Sequence, residues 1–138
     1  MLRVTVGIPT FNEEENISNL LKSLVADTPK DFIISEVLVS DDSSDNTPEI
    51  VDKFAQNNSL NIKVMHHSGR RGAAEAWKEI FEKSIGDIIV LCDGDVIVGK
   101  NCLRELVGSI QGKTGLCASN PTPVQMEGLV GRASTFIS

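Results

Sequence analysis

Two carboxylates separated by one glycine follow a short apolar run, and their spacing suits a metal ion. The run is Ile88 to Cys92, and the carboxylates are Asp93 and Asp95. Five consecutive apolar residues, several of them β-branched, predict a strand that is buried on both faces. Two acids at its end would place oxygen ligands where Mg²⁺ or Mn²⁺ is completed by a substrate's phosphates. Asp-Gly is also a common turn sequence, so the stretch alone leaves a hairpin turn as the alternative.

The start of the chain offers a second group of candidate residues. Arg3 to Pro9 predicts a first strand that ends at Pro9, and a helix with regularly spaced apolar residues follows to about Ala26. Asn12 is a suitable N-cap for that helix, and the acids after it occupy the first turn, where negative charge is favoured. Glu13 is therefore either an ordinary first-turn acid or a functional residue.

A third group follows the predicted second strand, Ser35 to Ser40. Asp45 or Thr47 can cap the next helix, whose first position suits the proline that follows Thr47. This leaves Asp41 and Asp42, at the end of the strand, without an obvious structural role.

The loop after the predicted third strand, Leu60 to Met65, contains two histidines and two arginines. His66 and His67 are adjacent, and neighbours on an extended chain point to opposite sides. Solvent-exposed histidines at a strand end are therefore favoured over a metal site. Arg70 and Arg71 precede a predicted helix, so they either bind phosphate beside its N-terminus or are surface charges.

The remaining pattern completes an alternation of strands and helices. The helix over Ala73 to Ser84 is predicted to bury Trp77 and Phe81 with its other apolar residues. Asn101 is predicted to cap a further helix. Leu116 to Ser119 predicts a fifth strand, and Met126 to Ser138 shows loose helical spacing.

Composition limits the class of protein. The 138 residues suit one domain, are 41% hydrophobic, and carry a net charge of −6, from 13 basic and 19 acidic residues. This acidic balance argues against a general nucleic-acid binder, and a phosphate ligand would need a local cation. Cys92, Cys102 and Cys117 are expected to be reduced core residues. No apolar run approaches membrane-spanning length and no signal peptide is evident, so we expect a cytoplasmic protein.

Strand and helix alternate four times, which predicts an α/β fold with a mainly parallel sheet and helices on both faces. In a doubly wound order the first strand lies between the second and the fourth, at the switch point where ligands bind. The loops at Thr10, Asp41 and Asp93 would then meet at one crevice. Neither a dinucleotide-binding glycine pattern nor a P-loop is present. An acid at the second strand end suits a base or ribose, Phe11 could stack on a base, and a metal would bridge a diphosphate.

These motifs resemble glycosyltransferase family 2, and dolichol-phosphate mannose synthase-like members in particular. The segments that carry the resemblance are Ile8 to Ile17, Val39 to Thr47, Gly72 to Ala74 and Cys92 to Asp95. It implies the GT-A fold, a Rossmann-like three-layer α/β/α arrangement, and a UDP- or GDP-sugar donor with Mg²⁺ or Mn²⁺. Metal binding is implied at Asp93, which also contacts the donor, and at Asp95. Donor recognition is further implied at Pro9, Thr10, Phe11, Glu13, Asp41 and Arg71, with Phe11 replacing a common tyrosine.

The resemblance also implies a base that activates the acceptor, and no convincing candidate follows Asp95. Glu127 lies in a predicted loop that does not suit this role. We therefore expect a single truncated domain over residues 1–138 that supplies mainly the donor-binding half. A lipid-phosphate or saccharide acceptor is implied, with any membrane contact made through that acceptor or missing segments, and self-association is plausible. The alternatives are a non-catalytic nucleotide-binding or interaction module and, less compatible with the first loop, a sugar-phosphate nucleotidyltransferase.

Overall fold

The computed structural model describes residues 1–26 and 29–110 and, for the backbone alone, residues 116–120 and 132–136. The predicted alternation is present. In chain order the elements are β1 (Leu2–Thr10), α1 (Ile17–Ala26), β2 (Phe32–Asp41), α2 (Thr47–Gln56), β3 (Ile62–His66), α3 (Ala73–Lys83), β4 (Ile88–Leu91), α4 (Cys102–Ser109), β5 (Leu116–Asn120) and β6 (Arg132–Phe136). Among these described helices, none has the length and apolar content that crossing a bilayer requires.

The four parallel strands lie in the order β3-β2-β1-β4, which confirms that the first strand lies between the second and the fourth. β1 does not stop at Pro9, as predicted, but pairs with β2 through Thr10. Pro9 lacks an N–H, and the pairing of β1 with β4 has already ended at Gly7 and Leu91. The proline therefore interrupts no hydrogen bond to β4.

Alternate residues of β1 face different helices. Val4, Val6 and Ile8 are fully buried in a core cluster that includes residues of α1, α2 and α4. Gly7 faces α3, where a Cβ atom on this glycine would lie 2.6 Å from Cγ2 of Ile80. The sheet therefore has helices on both faces, and α3 lies directly on β1.

Two predictions of burial were wrong. Trp77 and Phe81 are 45% and 52% exposed, because α3 buries only the narrow stripe of Ala76 and Ile80 against the sheet. β4 is not buried on both faces, since only Val90 of its four residues is buried. β4 is an edge strand of the described sheet, and an edge has a neighbour on one side only.

The end of the chain also differs from its prediction. Residues 132–136, predicted within a helical segment, form β6 and pair antiparallel with β5. Both strands contact α4. The apolar spacing was too irregular to distinguish a helix from a strand whose partner is set by long-range pairing. The rest of the predicted helix, at 126–131 and 137–138, lies outside the described residues.

Candidate functional site

A cavity of about 310 Å³ lies at the carboxyl edge of the sheet. Its lining comprises Pro9, Thr10, Phe11, Glu13, Asp42, Arg70, Gly72, Ala73, Ala76, Asp93, Gly94 and Asp95. The three predicted loops, after β1, β2 and β4, therefore meet at one cavity together with the start of α3. The parallel order explains this, because parallel strands deliver their carboxyl ends to the same edge.

The carboxylates of Asp93 and Asp95 are exposed, and within the described part of the chain neither makes a side-chain hydrogen bond or ion pair. Gly94 between them is buried, and a Cβ atom there would lie 2.8 Å from Cγ of Glu13 and 3.2 Å from Cγ2 of Thr10. Only a glycine allows this loop to pack so closely on the end of β1. The packing of Gly94 thus holds two uncommitted carboxylates at the rim of the cavity.

This pair fits a hard divalent cation. Mg²⁺ characteristically takes one or two protein carboxylates and completes its shell with phosphate oxygens and water. The described residues contain no cluster of three or more histidine, cysteine or acidic side chains suited to a metal. A cation held by Asp93 and Asp95 would therefore take its remaining ligands from a substrate and from water.

Glu13 precedes α1, which begins at Ile17, so it is not the first-turn acid that was predicted, and its functional role stays a prediction. Its N–H donates to Oγ1 of Thr47 at 2.9 Å, and its carbonyl accepts from the N–H of Ile17 at 2.8 Å, which starts α1. Its half-buried side chain also lines the cavity, where its Oε2 accepts from Nδ2 of Asn16 at 3.2 Å. Glu13 therefore presents a carboxylate to the cavity from a backbone position that is fixed by α1 and α2.

Asn12 does not cap α1, contrary to the prediction. It adopts a left-handed backbone conformation with φ of 53°, and its Oδ1 accepts from the N–H of Ser44 at 2.9 Å. The N-cap of α2 is Asn46 rather than Asp45 or Thr47, and its side chain makes no capping hydrogen bond. Oδ1 of Asp45 accepts from the N–H of Thr47, the first residue of α2, at 2.9 Å. The contact between Asn12 and Ser44 joins the loops that follow β1 and β2.

Asp41 is fully buried and does not line the cavity. Its carboxylate accepts hydrogen bonds from Oγ1 of Thr10 at 2.6 Å and from Oγ of Ser43 at 2.5 Å, and it contacts Nδ1 of His66 at 2.7 Å. Asp41 thus has a structural role that the sequence did not indicate, and its implied role in donor recognition stays a prediction. Its neighbour Asp42 lines the cavity instead.

Asp42 anchors the loop between β3 and α3. Its carboxylate accepts from the N–H of Arg71 at 2.7 Å, from Nε of Arg71 at 2.9 Å and from the N–H of Gly72 at 3.3 Å. Burial raises the pKa of Asp42, but the hydrogen bonds and charge of Arg71, with the N–H of Gly72, outweigh burial and leave the pKa below its usual value. Arg71 is therefore committed to Asp42, and Arg70 is the arginine that lines the cavity.

Glu79 of α3 ties the same loop to the sheet. It accepts from Oγ of Ser40 at 2.7 Å, contacts Nε2 of His67 at 2.8 Å, and lies 3.4 Å from Nη2 of Arg71. Burial raises the pKa of Glu79, but these three partners together lower it below its usual value. His66 and His67 do point to opposite sides, as predicted, yet each contacts an acid rather than being simply solvated.

Arg70 lies over the ring of Phe11, with its guanidinium carbon 4.3 Å from the ring centroid. Phe11 is 38% exposed. Gly69 and Gly72 flank the two arginines with φ of 80° and 98°, a conformation that side chains other than glycine rarely adopt. The face on which a base was predicted to stack is thus covered by a guanidinium.

The sequence pattern of glycosyl transferase family 2 matches residues 5–136, nearly the whole chain. The chain belongs to glycosyl transferase family 2. The glycosyltransferase AglD of Haloferax volcanii is 32% identical over 114 residues, which are 80% of this chain and 18% of AglD. This confirms the family resemblance, whereas the dolichol-phosphate mannose synthase-like subtype stays a prediction.

Solved structures of glycosyltransferases share the fold, which confirms the GT-A architecture. TarS of Staphylococcus aureus with UDP-GlcNAc is 32% identical, with a TM-score of 0.66, covering 79% of this chain and 31% of that one. The mannosyltransferase PcManGT of Pyrobaculum calidifontis, in complex with GDP-Man and Mn²⁺, is 30% identical, with a TM-score of 0.74, covering 83% and 34%. The chain thus spans between 18% and 34% of the length of these relatives.

The sequence alone does not identify Asp42 and Arg70 as the residues of their pairs that line the cavity. Asp42 stands beside Asp41 at the end of one strand, and Arg70 stands beside Arg71 in one loop. Of the two neighbouring aspartates only Asp42 lines the cavity, and of the two neighbouring arginines only Arg70 does. Side chains alternate along β2, and glycines flank the two arginines. Neither pattern shows which residue of a pair faces the cavity.

The remaining residues considered in the sequence are the three cysteines and the acids that follow Asp95. Cys92 and Cys102 are buried and form no disulfide within the described residues, as predicted. Burial, with Cys102 and Asp93 nearby, raises the pKa of Cys92 to about 12. The side chain of Cys117 lies outside the description. Glu127, considered as an acceptor base, also lies outside the described residues, whereas Glu105, another acid after Asp95, is exposed on α4.

Proposed function

We propose that this chain binds a UDP- or GDP-sugar in the cavity and serves in metal-assisted transfer of the sugar to an acceptor. The observation that carries the proposal is the placement of two uncommitted carboxylates, Asp93 and Asp95, in one cavity with Phe11 and Glu13. Uncommitted oxygen ligands beside an aromatic ring suit a molecule that has both a diphosphate and a base. Relatives with UDP-GlcNAc and with GDP-Man and Mn²⁺ support both donor classes.

The cavity residues that were predicted to bind the donor or the metal have the following proposed roles. Asp93 and Asp95 would hold Mg²⁺ or Mn²⁺, and such a cation supplies positive charge that stabilises a departing diphosphate. Phe11 offers the face for the base, while Pro9, Thr10 and Glu13 line the same cavity. These groups would bind and orient the donor at the carboxyl edge of the sheet.

Asp41 and Arg71 enter this proposal as positioning residues. Asp41 accepts the Thr10 hydroxyl proton in a hydrogen bond of 2.6 Å and so orients a residue of the cavity wall. Arg71 orients Asp42, with which it forms an ion pair at 2.9 Å. Their contribution to donor recognition would therefore pass through Thr10 and Asp42.

The test is donor binding with and without metal, measured by calorimetry with UDP- and GDP-sugars. Asp95→Asn should weaken metal-dependent binding by at least about tenfold, because it removes one of two protein ligands. Glu15→Gln is the matched control: Glu15 is an exposed acid in the turn before α1 that does not line the cavity, so this change should leave binding intact. If the wild-type protein binds no nucleotide with metal at millimolar concentration, the proposal is wrong.

A second measurement tests whether the chain supplies mainly donor binding. We propose that the acceptor is a lipid phosphate or a saccharide, and that its activating base is not among the carboxylates assigned to the donor. The expected result is donor binding without release of sugar, even to water. Measurable transfer to an added lipid or saccharide acceptor would show that the chain contains a complete active site.

A further inference from the structure

The cavity has an uneven distribution of charge. Four carboxylates line it, those of Glu13, Asp42, Asp93 and Asp95, and the only cation in the described lining is Arg70. The charge of Asp42 is balanced by Arg71. A metal at Asp93 and Asp95 balances that pair, but a nucleoside diphosphate brings further negative charge into the cavity. Arg70 is thus the cavity's own positively charged partner for such a ligand.

In the described part of the chain, the guanidinium of Arg70 is held by the ring of Phe11. Within the described residues it forms no ion pair or hydrogen bond, and it lies 4.3 Å from the ring centroid. A cation–π contact at an exposed site is weak. A guanidinium paired with a phosphate makes two parallel charge-assisted hydrogen bonds, which are considerably stronger. A phosphate whose oxygens lie beyond the reach of the stacked guanidinium will therefore draw Arg70 off the ring.

Hydrogen bonds anchor the backbone that follows Arg70, whereas no hydrogen bond within the described residues anchors its side chain. Asp42 accepts hydrogen bonds from the N–H groups of the next two residues, Arg71 at 2.7 Å and Gly72 at 3.3 Å. The side chain of Arg70 itself is exposed, and within the described residues it has no hydrogen bond or ion pair to break. Movement of the guanidinium therefore requires rotation of side-chain torsions and no rearrangement of the loop.

We propose that Arg70 is a specificity-determining residue that exchanges Phe11 for the phosphates of the nucleotide and thereby uncovers Phe11 for the base. The inference rests on the proposed donor site and adds a coupling between its two ends. A nucleoside diphosphate supplies the group that removes Arg70 and the base that replaces it. A nucleoside without phosphates has to compete with the guanidinium for the same ring. The cavity would therefore discriminate against ligands that lack the diphosphate.

This coupling predicts effects of opposite sign from one substitution. Arg70→Gln should bind uridine or guanosine about threefold more tightly, because the weak cation–π contact no longer covers Phe11. The same variant should bind UDP or GDP about tenfold more weakly, because a charge-assisted pair with the phosphates is lost. Arg70→Lys should lie between the wild type and Arg70→Gln for the diphosphates, since it retains the charge without the planar fork.

Both affinities are measured in the presence of Mg²⁺ by ligand-observed NMR for the nucleosides and by calorimetry for the diphosphates. Lys78→Gln is the matched control, because it removes an exposed cation of α3 that does not line the cavity. It should change neither affinity. In a Phe11→Leu background, Arg70→Gln should no longer strengthen nucleoside binding, since the ring that it uncovers is absent.

The outcomes separate this inference from the proposed function. Wild-type protein that binds neither UDP nor GDP would overturn the donor site and the role of Arg70 with it. A second contrary outcome is a wild type that binds a diphosphate while Arg70→Gln lowers the affinities for nucleoside and diphosphate by the same factor. In that case Arg70 contacts the base and does not exchange Phe11 for the phosphates, so the proposed exchange is wrong. Unchanged affinities in Arg70→Gln would show that Arg70 is only a surface charge. Nucleoside binding that stays undetectable in that variant would show that Arg70 does not keep a base from Phe11, and the exchange would be wrong.

Discussion

The replacement of Asp42 by asparagine tests whether one buried carboxylate holds the loop that carries Arg70. The side chain of Asp42 is 6% exposed and accepts two hydrogen bonds from Arg71 and one from Gly72. Asparagine has the same shape, but it is uncharged and has one acceptor oxygen in place of two. At least one N–H group of the loop would therefore face the amide NH₂ instead of an acceptor.

The cost can be estimated from these contacts. A hydrogen bond to a charged group contributes about 1.5–3 kcal/mol, and removal of one partner of a buried ion pair costs about 3–5 kcal/mol. The lower part of this range applies, because the side chain of Arg71 is 27% exposed and keeps contacts with Glu79 and Ser40. We expect Asp42→Asn to lower the free energy of unfolding by about 2–3 kcal/mol at neutral pH.

The pH dependence follows from the lowered pKa of Asp42. Because the pKa in the folded state lies below the ordinary value of 3.8, ionised Asp42 contributes stability that is fully present above pH 3.8. That contribution is lost as the pH falls through the folded-state pKa. The difference in stability between the wild type and Asp42→Asn should therefore be constant near neutral pH and shrink below about pH 4.

Urea unfolding followed by circular dichroism over a range of pH measures both effects. Asp87→Asn is the matched control, since it makes the same chemical change in the exposed ion pair of Asp87 with Arg3, at 3.3 Å. Exposed ion pairs contribute little to stability, so the control should lose much less than Asp42→Asn. The reasoning is refuted if the two variants lose equal stability, or if the deficit of Asp42→Asn does not depend on pH.

Two further predictions concern the core. Gly7→Ala should destabilise the fold by about 1–3 kcal/mol in urea unfolding, because its Cβ would lie 2.6 Å from Cγ2 of Ile80. Addition of Ile80→Ala should give a double variant that loses less stability than the sum of the two single changes, and strict additivity would contradict this contact. Cys92, with a pKa of about 12, should resist alkylation by iodoacetamide at pH 8 until the protein is unfolded in urea. Mass spectrometry that finds Cys92 labelled in the native protein at the rate of a free thiol would disprove its burial.

The neighbouring acids Asp41 and Asp42 show where prediction from sequence stops. Both follow an apolar strand, and the pattern places both at the carboxyl edge of the sheet. Successive side chains of a strand point to opposite faces, so only one of two adjacent residues can face a given cavity. The choice depends on contacts with residues far apart in the chain, namely Thr10 and His66 for Asp41 and Arg71 for Asp42.

The same limit applies at the surface of α3 and at the end of the chain. Helical spacing marks Trp77 and Phe81 as apolar positions, but the helix meets the sheet along Ala76 and Ile80 only. The close approach at Gly7 sets that line of contact, and spacing within the helix carries no information about it. β6 likewise depends on pairing with β5, which the apolar pattern of 126–138 did not reveal.

The sequence by itself determined the alternation of strands and helices, the family, and the gathering of three loops at one edge of the sheet. These follow from local patterns and from the few ways in which parallel strands can be connected. The tertiary structure alone decided that Asp42 and Arg70 face the cavity, that Asp41 and Arg71 support it, and that Arg70 covers Phe11. Such choices depend on packing between distant segments, where shifting a side chain by one position exchanges a cavity residue for a supporting one.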